Sequence, residues 1–176
     1  MLVVAALTLL LVPVQPRGGR VASSGPLDVC ALLTSAEIKT VLGDPLTERK
    51  PNADAAGGVL MSQCFFATSS PRSISLAVAG TRGAGRSRIT PRAYWRRQFH
   101  PSRRDKAEES ERDNTPRPIA GVGEEAFWAG NRIAGALYVL HRNTFLRISV
   151  GGIRDGPERI QKSKALALLA LRRMTR

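Results

Sequence analysis

The stretch that most constrains this chain is a pair of strand-like runs, Ala136–Leu140 and Phe145–Val150, separated by His141-Arg142-Asn143-Thr144. In the second run Leu146, Ile148 and Val150 alternate with Phe145, Arg147 and Ser149, the two-residue period of a half-buried strand. Asn143 stands where a tight turn can use a residue that tolerates positive φ, so the runs are expected to pair as a hairpin. Phe127 and Trp128, just upstream, supply large aromatic side chains to pack against it.

The rest of the chain alternates between strand and helix signals. Thr34-Ser35-Ala36-Glu37 is a capping box, flanked by Leu33 and Ile38 at the staple positions, and Gly43 is placed to end the helix in a left-handed turn. Pro45–Lys50 reads as an edge strand and 52–58 as a loop. Val59–Thr68 reads as a strand, and Ser73–Ala79 alternates Ile74, Leu76 and Val78 with small or polar residues. Thr90-Pro91 opens a short helix to His100, in which Trp95 and Phe99 share a face. Residues 101–118 are charged, proline-bounded and almost free of apolar side chains, as in a solvated loop. Asp155-Gly156-Pro157-Glu158 starts a final helix to about Met174, with Ile160, Ala167, Leu171 and Met174 along one face. Ile74–Ala79 and Leu146–Gly151, each followed by a helix, look like two halves of a pseudo-repeat. The expected fold is α+β: an antiparallel sheet of about five or six strands with helices on one face.

At 176 residues the length suits one domain, here residues 25–176. Met1–Val14 is almost purely apolar, too short for a spanning helix but matching the middle of an export signal, and residues 1–24 are read as a signal peptide or N-terminal hydrophobic segment. The basic residues that usually precede such a run are missing, and no clean Ala-x-Ala cleavage site follows. Export would make Cys30 and Cys64 a disulfide, closing a loop of about 35 residues and stabilising the fold by roughly 3–4 kcal/mol. In a reducing compartment the same pair would be free thiols. The expected location is therefore secreted or periplasmic, with anchoring through the N-terminal segment left open.

The formal charge is +13, and loss of Arg17 and Arg20 with a signal would lower it by only two. That is enough to draw a protein to anionic lipid, polysaccharide or cell wall. Arg82, Arg86, Arg88, Arg92, Arg96, Arg97, Arg103 and Arg104 occupy one stretch without an acid, interleaved with Tyr94, Trp95 and Phe99. Arg82, Arg86, Arg88, Arg92, Arg96, Arg97 and Trp95 form the candidate site for an anionic ligand, by phosphate-type charge neutralisation and stacking. The bland reading is a solvated arginine face over core aromatics; arginine outnumbers lysine by 22 to 5 in the whole chain. Export makes nucleic acid the poorer partner.

Catalytic signatures are weak. Gly83-Ala84-Gly85-Arg86-Ser87-Arg88 lacks the third glycine and the βαβ setting of a dinucleotide loop. His100 and His141 are the only histidines, at a helix end and a turn. Adjacent Glu124 and Glu125 would point to opposite faces of a strand and could not act as a carboxylate pair. No metal-ligand spacing involves the two cysteines. The sequence points to no enzyme, metal or cofactor.

Asp28-Val29-Cys30-Ala31-Leu32-Leu33-Thr34-x-x-Glu37-Ile38, then Leu42-Gly43, Cys64-Phe65 and Gly121-Val122-Gly123-Glu124-Glu125-Ala126-Phe127, resembles a group of uncharacterised bacterial secreted proteins and lipoproteins. The pattern is also similar to extracellular sensor domains of some bacterial Ser/Thr kinases. The resemblance spans about Asp28 to the C-terminus and implies an exported, disulfide-linked α+β domain, without catalytic residues. The chain departs from the lipoproteins in lacking a lipid-attachment cysteine. The expected function is a non-enzymatic binding or interaction domain of the cell envelope; the alternative is an intracellular basic nucleic-acid binder.

Overall fold

The computed structural model describes residues 27–56, 59–80, 89–101, 115–131 and 133–174. The expected signal segment, the glycine and arginine loop at 83–88, and most of the charged loop lie outside them. Seven strands form one antiparallel sheet, consistent with α+β and slightly larger than expected: β1 Leu46–Ala56, β2 Val59–Thr68, β3 Ser73–Ala79, β4 Arg117–Pro118, β5 Glu125–Gly130, β6 Gly135–His141 and β7 Thr144–Gly151. Their order is β1-β2-β3-β7-β6-β5-β4. Among the described residues three helices accompany the sheet: α1 Ser35–Leu42, α2 Pro91–Phe99 and α3 Gly156–Met174, with a 3-10 turn at Val29–Leu32 before α1.

One register row shows why the sheet is cohesive. Cys64 faces Leu76, Leu76 faces Ile148, Ile148 faces Leu137, and Leu137 faces Trp128, across five neighbouring strands. All five side chains are buried on the same face. Burying each of the three aliphatic ones, Leu76, Ile148 and Leu137, contributes about 1.5–3 kcal/mol. The α3 residues Leu166, Ala167, Ala170 and Leu171 close over this surface with Ile38 and Leu42 of α1.

The N-terminal helix forms as its sequence demands. Thr34 Oγ1 accepts from the Glu37 amide at 3.3 Å, while Glu37 Oε2 accepts from the Thr34 amide at 2.9 Å. Gly43 ends α1 at φ +90, a conformation costly for other residues. Side chains from elsewhere then cap the helix: Lys162 Nζ donates to the Val41 carbonyl at 2.6 Å and Arg72 Nη1 to the Leu42 carbonyl at 2.8 Å. The Cys30–Cys64 disulfide, with Cα atoms 5.2 Å apart, fixes the 3-10 turn to β2.

Several expectations change. β1 runs on through Pro51 to Ala56 because it lies at the sheet edge, where a proline lacking its N–H is tolerated. Arg117 and Pro118, expected in the charged loop, pair with Trp128 and Phe127. At the hairpin the positive φ falls on Arg142 (φ 56) and not on Asn143. The buried stripe of α3 includes Arg159 and Ser163, while Ile160 and Met174 sit at its margin. Arg159 enters the core because its guanidinium donates to the carbonyls of Ile153 and Arg154. The helices do not share one face. Leaving out β4, which has no counterpart, the strand order is mirrored about the β3–β7 pair, as a pseudo-repeat requires, but α2 packs opposite α1 and α3.

Candidate functional site

α2 begins at Thr90, whose side chain accepts from the Ala93 amide, with Pro91 in the first turn. Nine residues make a marginal helix, so tertiary contacts must hold it. The aromatics supply most of them. Trp95 and Phe99 have ring centroids 4.3 Å apart. Phe99 stacks on Phe127 of β5 at 4.9 Å, and Tyr94 stacks on Phe145 of β7 at 5.3 Å. Ala79 and Leu140 complete this second, smaller core.

Two carboxylates bind the helix from the sheet side. Glu125 Oε2 accepts from Trp95 Nε1 at 2.6 Å and lies 2.9 Å from His100 Nε2. Glu124 pairs with Arg92 at 2.6 Å and also accepts from the Arg142 amide. Arg92 in turn donates to the Arg142 carbonyl at 2.8 Å, so one guanidinium joins α2, the bend before β5 and the hairpin turn. Both acids reach the same helix because only Glu125 belongs to the strand. Glu124 precedes it, and the alternation rule invoked for the pair does not apply there. Gly123 permits that bend: its φ is +64, and a Cβ would stand 2.4 Å from Val139 Cγ1 and 2.5 Å from the Leu140 carbonyl oxygen.

The electrostatics follow from these partners. Hydrogen bonds from Arg92 and the Arg142 amide hold the Glu124 carboxyl below its ordinary range, aided by the Arg92 charge. Partial burial pushes the Glu125 carboxyl up, but His100 and Trp95 outweigh it and the net direction is down.

The sequence-derived ligand set therefore divides. Arg82, Arg86 and Arg88 lie outside the described residues. Trp95 is 1% exposed with its indole N–H engaged by Glu125, so it belongs to the core and offers no face for stacking. Arg92 is tied to Glu124. Arg96 and Arg97 project from the exposed side of α2 and make no ion pair among the described residues. Beside them Arg92, Arg96 and His100, spaced four apart, line an open groove with Glu125 and Leu140. The roles of Glu124, Glu125 and His100 were not evident from sequence, although the four-residue spacing of Arg92, Arg96 and His100 was a usable signal. Among the described residues no cluster of three His, Cys, Asp or Glu could hold a metal ion, and no helix is long and apolar enough to cross a membrane. No protein family, curated protein or solved structure matches this chain.

Proposed function

We propose that this chain is an exported, non-enzymatic binding domain of the bacterial cell envelope, which meets an anionic surface through the outer side of α2. The observation carrying this reading is the pair Arg96 and Arg97, exposed on a helix whose opposite side is fixed to the sheet. A guanidinium without an internal carboxylate partner can bind phosphate or carboxylate groups in a bidentate manner. The rigid aromatic seat beneath lowers the ordering cost of presenting both charges. The Cys30–Cys64 bond supports an oxidising compartment over the nucleic-acid alternative.

The test is co-sedimentation with vesicles of phosphatidylglycerol, using phosphatidylcholine vesicles for comparison. The wild type should bind the anionic vesicles saturably, with affinity falling as salt rises. Arg96→Glu/Arg97→Glu should weaken binding by about tenfold or more, at roughly 1 kcal/mol per basic residue lost near the surface. Equal binding by wild type and variant would remove α2 from the proposal. Arg92 is left intact because its loss would disturb the seat of the helix.

A further inference from the structure

The groove beside α2 brings an uncommitted arginine, a histidine and a carboxylate together. It measures about 430 Å³, with Trp95 and Leu140 as its apolar lining and Arg92, Arg96, His100 and Glu125 as its polar one. Two of the four polar groups are engaged within the protein. Arg92 donates to Glu124 and to the Arg142 carbonyl, and Glu125 accepts from Trp95 Nε1. His100 places Nε2 2.9 Å from Glu125 and keeps half of its side chain in solvent. Arg96 is exposed and makes no ion pair among the described residues. Arg97, one residue on and about 100° round the helix, stands outside the groove.

Given the surface reading above, on which this rests, we propose that the groove receives one phosphate group of the anionic surface, bound by the Arg96 guanidinium and by His100 in its protonated form. Arg96 offers two parallel N–H donors to a tetrahedral oxyanion. The second ligand depends on protonation. With Nε2–H donated to Glu125, the neutral ring carries a lone pair on Nδ1 and leaves the Glu125 charge facing the groove, so an anion is repelled. Protonation offsets that charge and turns Nδ1 into a second, charge-assisted donor. Among the described residues the charged groups facing His100 are Glu125 on β5 and Arg96 and Arg92 on α2, with Arg92 paired to Glu124. Phe127 meets the imidazole edge-on, with ring centroids 5.9 Å apart. Histidine changes its charge between about pH 5 and 8, so mild acid opens the groove to the phosphate. Reciprocally, a bound phosphate favours the protonated ring.

The experiment is an NMR titration of the full chain with sulfate, which stays dianionic while histidine titrates, following the His100 ring and the Arg96 side chain. Saturable shifts at both are expected, with affinity about tenfold higher at about pH 5.5 than at about pH 8, the gain from one charge-assisted hydrogen bond. Burial pushes the Glu125 carboxyl up, but His100 and Trp95 hold it below its ordinary 4.5, so it stays charged at both pH values. Arg96→Gln should weaken sulfate binding by about tenfold or more. His100→Gln keeps a hydrogen bond for Glu125 and should remove the pH dependence, while Arg97→Gln should leave sulfate binding unchanged. Absence of saturable shifts, a pH-independent affinity, or equal weakening by Arg96→Gln and Arg97→Gln would each overturn the assignment of the groove. Phosphatidylglycerol vesicles at the same two pH values form the second arm, where acid should strengthen binding by the wild type and not by His100→Gln. Vesicle binding without sulfate binding would sink the groove alone and leave the surface reading standing. Sulfate binding without vesicle binding would overturn the surface as the source, in favour of a soluble phosphate ester.

Discussion

On the α1 and α3 side, the sheet is covered by a continuous aliphatic core that runs from Val29 to Leu171 and is pinned by a disulfide. On the α2 side, a nine-residue helix rests on a patch of aromatic rings and is tied by two adjacent carboxylates. The first arrangement is non-directional burial, which is lost only when the domain unfolds. The second combines a small buried aromatic cluster with a few hydrogen bonds and ion pairs at partly exposed groups. Such ties contribute little individually and allow an element to open below the global unfolding free energy.

The comparison predicts a graded series of effects. Leu76→Ala, in the middle of the register row and fully buried, should destabilise the whole domain by about 2–5 kcal/mol, measured by denaturant unfolding. Replacing both Cys30 and Cys64 by serine should cost roughly 3–4 kcal/mol and move the same global transition. Trp95→Phe keeps the ring packing but leaves Glu125 without the indole donor. It should cost about 1–3 kcal/mol, with the loss concentrated in α2 protection. Should Trp95→Phe lower global stability as much as Leu76→Ala, the two faces would not be separable.

Acid sharpens the contrast. The carboxyls of Glu124 and Glu125 are depressed in the folded protein, so their contribution is present above the unfolded value and lost as pH falls through the folded one. Tryptophan fluorescence, which includes Trp95, should therefore report α2 loosening only below about pH 4.5. Glu37 follows the same sign on the other face. Burial opposes its ionisation, but the Arg173 hydrogen bond and charge and the Thr34 cap lower it from 4.5 to about 2. Its stabilisation should fade between these values. Glu37→Gln should flatten that part of the acid-unfolding profile without affecting the α2 signal.

Much of the fold was legible because local and global signals agreed. The capping box at Thr34, the stop at Gly43, β2, β3 and the length of α3 all stand where periodicity and turn chemistry put them. What escaped was set by tertiary pairing. β1 continues through Asn52, a poor strand former, because the β2 ladder overrides propensity. Arg159 is buried because the Ile153 and Arg154 carbonyls, in the bend just before α3, receive it, and no periodicity reveals that. The same limit applied at the site. A helix rich in arginine was visible, but which arginine Glu124 would claim, and that Trp95 would point inward to Glu125, depended on the bend at Gly123 and on α2 taking the other face.

The most direct measurement is native-state hydrogen exchange, residue by residue, with and without phosphatidylglycerol vesicles. The account predicts that α2 amides exchange through openings of lower free energy than those of β3, β7 and α3, and that the vesicles slow α2 selectively. Exchange of α2 at the global rate, unchanged by the vesicles, would contradict both the division between the two faces and the assignment of binding to α2.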